Sequence, residues 1–250
     1  MAARMQDRIR DILEPVARDI AVDDIRIGLK YTSAHLDTGQ CGVSWTGRDS
    51  GACCGQNPRQ KTLAGRGAVE ILDLLASPTA QQRSVGLATA NALAAVMPAP
   101  EASTTDILDI LHIDQNDHVV MVGFFGPLMS PLRQTGCRLE VLELNERPGT
   151  IPPQDGQEAL ARCSVAIITS TAIVTDTIDD LLAQLGAPRA TVMLGPSTFM
   201  RPEVYAGTPV THLAGARVLD AADVARSVSE GGGTQILKRS LRFETIQLAG

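Results

Sequence analysis

Five short apolar runs in the second half of the sequence constrain the fold more than any other feature. They occupy residues 119–122, 139–144, 165–168, 191–194 and 210–214. The small or polar residues that follow them, spaced 20 to 26 positions apart, are Gly123, Asn145, Thr169, Gly195 and Gly215. This spacing accommodates one strand and one crossover helix per unit, so it predicts a parallel α/β sheet. Because ligands bind outside the carboxyl ends of such strands, we expect these residues to line one crevice.

The first part of the chain has a different pattern. Apolar and polar residues alternate over 25–31 and again over 41–45, which predicts two strands of an antiparallel hairpin. Two helices are predicted to follow, over 67–75 and 84–96, with Ser84 as the N-cap of the second. Strands followed by helices are typical of an α+β arrangement.

A proline-rich segment separates the two parts. Residues 97–100 read Met-Pro-Ala-Pro, which cannot continue a helix. We therefore predict an α/β protein with a small α+β domain over residues 1–97, followed by a parallel-sheet domain over residues 98–250.

Composition and charge exclude several classes of function. The net charge is −6 and no basic block occurs, which argues against nucleic-acid binding. No stretch approaches the roughly 20 apolar residues that span a bilayer, and the first residues lack a secretory pattern. The five cysteines have no regular spacing, which favours reduced thiols over disulfides. We therefore expect a cytoplasmic protein that binds a small molecule or another protein, and we leave a homo-oligomer open.

The loop after the first parallel strand, Gly123-Phe124-Phe125-Gly126-Pro127, stands where dinucleotide-binding folds keep their phosphate-binding turn. It is not GxGxxG, because Phe125 replaces the middle glycine and Pro127 removes a backbone amide donor. Glu143 follows Gly123 by 20 residues, as a ribose-binding carboxylate would. Two alternatives remain: a nucleotide site, or a tight strand-to-helix turn with its phenylalanines packed in the core.

Residues suited to binding a metal are few. Neither CxxC nor HxxxH occurs, and the four histidines are scattered. The candidate ligands are His35, which follows the first strand, and the adjacent pair Cys53 and Cys54. Two adjacent thiols cannot complete the usual four-ligand site, so we expect tight metal binding not to depend on them. Ordinary structural roles are the alternative for all three residues.

Nucleophilic catalysis has no supporting motif. GxSxG is absent, and Ser170 and Ser197 have no partners recognisable in the sequence. We expect their hydroxyls either to bind a ligand or to cap turns, with Gly195 and Gly215 allowing close backbone approach. Asn91 lies on an otherwise apolar helix face and must find polar partners, in a neighbouring backbone or in the crevice.

Seven segments of the sequence, taken in order, resemble a known family. They are IGLKYTSAHL, SVGLATANAL, VVMVGFFGPL, VLELNERPG, AIITSTAIVTDTIDDLL, VMLGPSTFM and SEGGGT. They are similar to the two-domain putative heavy-metal chelation proteins, long grouped as a domain of unknown function. The resemblance implies an N-terminal domain similar to the enolase N-terminal fold, a Rossmann-like C-terminal domain, and an active site in the cleft between them.

The resemblance also implies which residues form the site. From the small domain it points to Lys30, Tyr31, Thr32 and Asn91. From the large domain it points to a longer set: Gly123, Phe124, Phe125, Gly126, Pro127, Asn145, Thr169, Ser170, Thr171, Gly195, Pro196, Ser197 and Thr198. Few of these are metal-ligand types, so the set suits a polar organic ligand better than a metal bound directly by protein.

Three hypotheses follow. The leading one is a protein that binds a small polar or anionic ligand in the interdomain cleft, with a metal chelator, a metal ion or a metal complex as the candidates. In this hypothesis Lys30 supplies positive charge if it faces the cleft. The second is an enzyme dependent on a nucleotide or S-adenosylmethionine, favoured by Glu143 and disfavoured by the missing glycine. The third is a subunit whose aliphatic surface joins a partner.

Overall fold

A computed structural model describes residues 3–48, 62–144 and 147–248. The strands are β1 Ala21–Ile27, β2 Tyr31–Leu36, β3 Cys41–Trp45, β4 Arg66–Gly67, β5 His118–Val122, β6 Arg138–Leu142, β7 Val165–Thr169, β8 Ala190–Leu194, β9 His212–Val218 and β10 Leu241–Gln247. The helices are α1 Met5–Ala17, α2 Ala68–Leu72, α3 Ala80–Ala94, α4 Ile107–Leu111, α5 Gly126–Gln134, α6 Gln157–Arg162, α7 Thr171–Thr175, α8 Ile178–Gln184, α9 Ala221–Ser229 and α10 Thr234–Leu237. Within these ranges, no helix has both the length and the apolar character needed to cross a bilayer.

The first sheet has four strands in the order β3-β2-β1-β4, and all its pairs are antiparallel. The prediction of one strand over 25–31 is wrong, because the chain reverses direction between β1 and β2. The Gly28 amide donates to the Tyr31 carbonyl at 2.9 Å, which closes a tight turn at this point. Alternation continues through the turn by coincidence, so periodicity alone could not show it.

Helix α3 covers one face of this sheet. The helix begins earlier than predicted, since Thr79 is the N-cap and its hydroxyl accepts a hydrogen bond from the Gln82 amide. Ser84 lies inside the helix, where its Oγ donates to the Ala80 carbonyl and accepts from the Gly47 amide. Its hydroxyl thus joins the helix to the chain that leaves β3.

The second sheet confirms the predicted α/β class. Its six strands have the order β10-β9-β8-β7-β5-β6, and β5 to β9 are paired in parallel. The chain crosses from β5 to β6 on one side and then to β7 on the other, so the winding direction reverses at β5. Strand β10 was not predicted; it pairs antiparallel with β9 at the edge.

The two sheets share one hydrophobic core. A single cluster of buried side chains includes Met5 and Ile9 of α1, Leu87 of α3, and residues of the second sheet such as Val120. Polar contacts cross the same boundary, since Arg83 Nε donates to the Val174 carbonyl at 2.6 Å. The division at residue 97 stays a prediction, but the two parts pack as neighbours with a common interior.

We predict that Gly42 is needed for the contact between β3 and α3. A Cβ atom at Gly42 would lie 2.2 Å from the Ala88 carbonyl oxygen and the Ala92 amide, and these backbone atoms cannot turn aside. Gly42→Ala should therefore lower the free energy of unfolding by about 1 to 3 kcal/mol. Urea denaturation followed by fluorescence of the single tryptophan, Trp45, measures the change.

Gly67→Ala is the matched control. No atom lies within 4 Å of a Cβ built there, and the backbone φ of −58° suits alanine. This substitution should leave stability unchanged or raise it by about 0.4 to 1 kcal/mol. Equal unfolding free energies for the two variants would contradict the packing described here.

Candidate functional site

A cleft of about 780 Å³ lies at the carboxyl ends of the parallel strands. We name it the strand-end cleft. It is formed by the turns after β5, β7 and β8, by parts of β9, β10 and α10, and by the segment that precedes α4. The structure brings together many of the residues expected from the sequence: Tyr31, Phe124, Phe125, Gly126, Pro127, Thr169, Thr171, Gly195, Pro196, Ser197 and Gly215.

Two glycines turn the chain away from the sheet at the edge of the cleft. Gly123 has a φ of +87° and Gly195 a φ of +115°. Residues other than glycine rarely adopt such positive φ angles. Each amide still completes the sheet, because Gly123 donates to the Leu142 carbonyl and Gly195 to the Ala214 carbonyl. The turns therefore follow directly from the last paired residue of β5 and of β8, and they lie on either side of the end of β7.

Several hydroxyl groups lie near these turns. Thr169 Oγ1 lies 3.1 Å from Thr171 Oγ1 and accepts a hydrogen bond from the Thr171 amide. Ser197 Oγ accepts from the Trp45 amide at 2.7 Å, which ties the first sheet to the cleft wall. Ser170 and Thr198 are buried behind the lining, where their hydroxyls are 2.7 Å apart. This second pair supports the turns rather than the cleft surface.

A second cavity of about 320 Å³ adjoins the strand-end cleft. It includes Gly123, Glu143 and Trp45, and it shares Phe124 and Phe125 with the larger cleft. Glu143 Oε2 accepts a hydrogen bond from the Phe124 amide at 2.9 Å. Glu143 was a candidate for binding a ribose because it follows Gly123 by 20 residues. Its carboxylate instead binds the loop that carries Phe124, and this structural role accounts for its position.

Several sequence-derived candidates lie away from the strand-end cleft. Lys30 is exposed in the turn before β2, and its side chain is not part of the lining. Thr32 is fully buried, with its hydroxyl 3.0 Å from that of Thr46. Asn91 Nδ2 donates to the Val43 carbonyl at 2.9 Å, so this amide fastens α3 to β3. The remaining candidates outside the described residues are Asn145, Cys53 and Cys54.

Other lining residues were not proposed from the sequence. Phe243 and Glu244 come from β10, which carries charged residues and was not identified as a strand. Thr234 and Lys238 come from α10 and its end, and the Thr234 hydroxyl lies 2.7 Å from that of Tyr31. The segment SEGGGT, which ends at Thr234, was available as a signal because it belongs to the family resemblance.

Arginine side chains pair with the buried carboxylate of the strand-end cleft, Glu244. Burial alone would raise the pKa of Glu244, but hydrogen bonds and charge from Arg217 and Arg242 together hold that pKa below its usual value. Asp106 is the N-cap of α4, and its carboxylate accepts a hydrogen bond from the Leu108 amide at 2.9 Å. Lys238 is exposed at the cleft and adds positive charge there. The charged residues of the lining are therefore Asp106, Glu244 and Lys238, and of the two carboxylates Glu244 is paired with arginines from outside the lining.

The described residues do not fit a metal bound directly by protein. They contain no group of three or more His, Cys, Asp or Glu side chains that could hold one. His35 Nε2 lies 3.2 Å from Ser33 Oγ and 3.7 Å from Cys41 Sγ, away from the cleft lining. Burial lowers the pKa of His35 and raises that of the Cys41 thiol to about 12. Metals bind the thiolate, so burial makes Cys41 a less favourable metal ligand than an exposed cysteine.

We predict a pH-dependent stabilisation by Glu244. Because its pKa is lowered in the folded protein, its contribution is present above the unfolded value of about 4.3 and disappears as the pH falls through the folded pKa. At pH 7, Glu244→Gln should reduce the free energy of unfolding by about 1.5 kcal/mol. The difference from wild type should shrink below about pH 4, measured by urea denaturation across that range.

Glu70→Gln provides the comparison for this experiment. Glu70 pairs with Arg66 at 3.0 Å, but its side chain is 61% exposed. Such an exposed pair contributes about 0.2 to 1 kcal/mol, so the loss should be smaller than at Glu244. A Glu244→Gln deficit that stays constant from pH 7 to below pH 4 would be inconsistent with the proposed charge pairing.

Sequence relatives agree with the family resemblance. A family model described as "Putative heavy-metal chelation", DUF364, matches residues 106–247. A second model with the same description, DUF4213, matches residues 10–94. An uncharacterised protein of Methanocaldococcus jannaschii is 20% identical over 225 residues, which is 86% of each chain.

Solved structures agree as well. A protein of unknown function of the DUF364 family from Pyrococcus horikoshii has a TM-score of 0.86 and 22% identity, covering 98% of this chain and 100% of its own. A second protein of that family, from Desulfitobacterium hafniense, has a TM-score of 0.81 and 22% identity, covering 97% of each chain. At this identity the likeness shows the fold. With the model match over residues 106–247, the chain belongs to the DUF364 family, described as putative heavy-metal chelation.

Proposed function

We propose that the strand-end cleft binds a small anionic metal chelate whose own donor atoms hold the metal. The observation that carries this proposal is a mismatch between family and side chains. The family is described as putative heavy-metal chelation, yet the described part of the chain offers no clustered set of metal ligands. A metal that arrives already coordinated needs hydroxyls, amides and positive charge from the protein, which are the groups that the cleft presents.

Recognition in this proposal combines neutral donors with one cation. Thr169 and Thr171 place two hydroxyls at the end of β7. One of them donates to the other, which leaves the second free to donate to an oxygen atom of the ligand. Lys238, rather than Lys30, supplies the positive charge, since it belongs to the lining and Lys30 does not. Glu244 adds little repulsion because two arginines pair with it. The cleft volume of about 780 Å³ accommodates a ligand of moderate size.

The finer features expected from the sequence belong to the same proposal. We infer that the parallel sheet is the Rossmann-like unit and the antiparallel sheet with α3 the enolase-like unit, with residue 97 near their boundary. Reversal of winding at β5 supports the first assignment, because ligand crevices form at such points. A cytoplasmic setting agrees with Cys41, Cys137 and Cys163, which are free thiols.

We predict that the protein retains metal only when the metal is supplied as a chelate. Purified protein should be dialysed against aqueous Ni²⁺, Ni(II)–citrate, Fe(III)–citrate, Fe(III)–2,3-dihydroxybenzoate and each free chelator. Stoichiometric metal should remain with at least one chelate and not with aqueous Ni²⁺, as measured by elemental mass spectrometry. Retention of the aqueous ion at equal stoichiometry would overturn the proposal.

A Cys53→Ser, Cys54→Ser double variant tests whether these two thiols bind the metal. These thiols lie outside the described residues, and we predict that they are dispensable for chelate binding. The double variant should therefore retain chelated metal as wild type does. Loss of stoichiometric metal with unchanged thermal unfolding would assign the metal to the thiols instead.

We also predict that Lys238 and Lys30 differ in their effect on binding. Lys238→Ala should weaken the retained chelate roughly tenfold, which corresponds to about 1.4 kcal/mol of lost charge-assisted binding. Lys30→Ala removes the same charge outside the lining and should leave the dissociation constant unchanged. Isothermal titration with the retained chelate measures both, after thermal unfolding midpoints have been compared. Equal losses would place the charge requirement elsewhere.

A further inference from the structure

The aromatic side chains of this chain are concentrated at the strand-end cleft. The sequence contains only four Phe, two Tyr and one Trp. Three of the phenylalanines, Phe124, Phe125 and Phe243, line the cleft together with Tyr31. Trp45 lines the adjoining cavity. The hydrophobic core is therefore built mainly from aliphatic residues, while most of the aromatic rings surround one concave surface.

Two of these rings are not needed to fill the core. Phe124 is 37% exposed and Phe243 is 43% exposed, whereas Phe199 and Tyr205 are buried in the interior. Leaving large apolar rings in water is unfavourable, and exposed apolar surface inside a cleft marks a binding site. Arg147 lies over the Phe124 ring at 4.8 Å from its centroid, which orients this ring at the cleft edge.

Glycines leave room for a flat group beside the rings. Gly126, Gly195, Gly215 and Gly233 all line the cleft. At Gly195, the nearest atom to a Cβ position is the Phe125 ring carbon Cε1, at 3.7 Å. Gly233 has no atom within 4 Å of its Cβ position, whereas at Gly215 that position is filled by Met200 Sδ at 2.5 Å. A planar ligand can therefore approach the backbone at Gly195 and Gly233.

We propose that the chelate bound in the strand-end cleft carries a planar aromatic ring with adjacent oxygen donors, as in a catecholate or hydroxybenzoate. This inference rests on the proposed function and names its ligand class. The ring stacks against aromatic side chains such as Phe124 and Phe243, in the offset or edge-to-face arrangements that aromatic pairs prefer. The anionic oxygens bind the metal and lie toward Lys238 and the threonine hydroxyls, which an aliphatic chelate could also reach. The aromatic contacts are what distinguish the two classes.

The test compares Fe(III)–2,3-dihydroxybenzoate with Fe(III)–citrate by isothermal titration of the full chain. The aromatic complex should bind at least roughly tenfold more tightly, because only it stacks on the rings. Phe243→Ala should reduce its affinity roughly tenfold and leave citrate unaffected. Leu219→Ala is the matched control, since Leu219 is 59% exposed and lies outside the cleft lining. It should change neither affinity.

A second variant covers the case in which Phe243→Ala unfolds. Phe124→Leu keeps an apolar side chain but removes the ring, and it should weaken only the aromatic complex. If citrate binds as tightly as the aromatic complex and neither variant discriminates between them, the aromatic class is wrong while the chelate site stands. If no chelate binds wild-type protein, the proposed function itself fails.

Discussion

The parallel pairing of β5, β7 and β8 determines where the site lies. Val122 is opposite Ile168, and Thr169 is opposite Leu194, so the three strands end at the same level. Hydrogen bonds between the strands hold this register. The turn that follows each strand therefore begins at the same level of the sheet. The glycine turns and hydroxyl groups become neighbours for this reason alone. The first sheet completes the wall through the hydrogen bond from the Trp45 amide to Ser197.

Charge and side-chain type then decide what the wall can recognise. Glu244 is the carboxylate most deeply buried at the cleft, and both Arg217 and Arg242 form ion pairs with it. Lys238 and the threonine hydroxyls face a cleft that also contains several aromatic rings. In the function we propose, these groups recognise an anionic organic molecule rather than a bare cation. A role in heavy-metal chelation agrees with this wall when the chelating atoms belong to the ligand.

The sequence was most informative where one strand follows another at regular intervals. Aliphatic runs buried on both faces marked β5, β7 and β8, and the residues that follow them form one wall of the cleft. Strand β10 was not predicted because it is an antiparallel edge strand with charged side chains. Its lining residues Phe243 and Glu244 were therefore not predicted either. Lys30 lies in the turn between β1 and β2. Because apolar and polar residues alternate through this turn, the sequence pattern placed Lys30 within a strand. Contacts between distant segments, such as Tyr31 with Thr234, have no local signal.

The most direct test of this account is a crystal structure of the protein with the retained chelate, with diffraction data collected at the absorption edge of the metal. We predict one anomalous peak inside the strand-end cleft, with the donor atoms of the metal supplied by the small molecule. The Lys238 ammonium and the threonine hydroxyls should contact the ligand oxygens. A peak coordinated by protein side chains, for example at His35 and Cys41, would contradict the central claim.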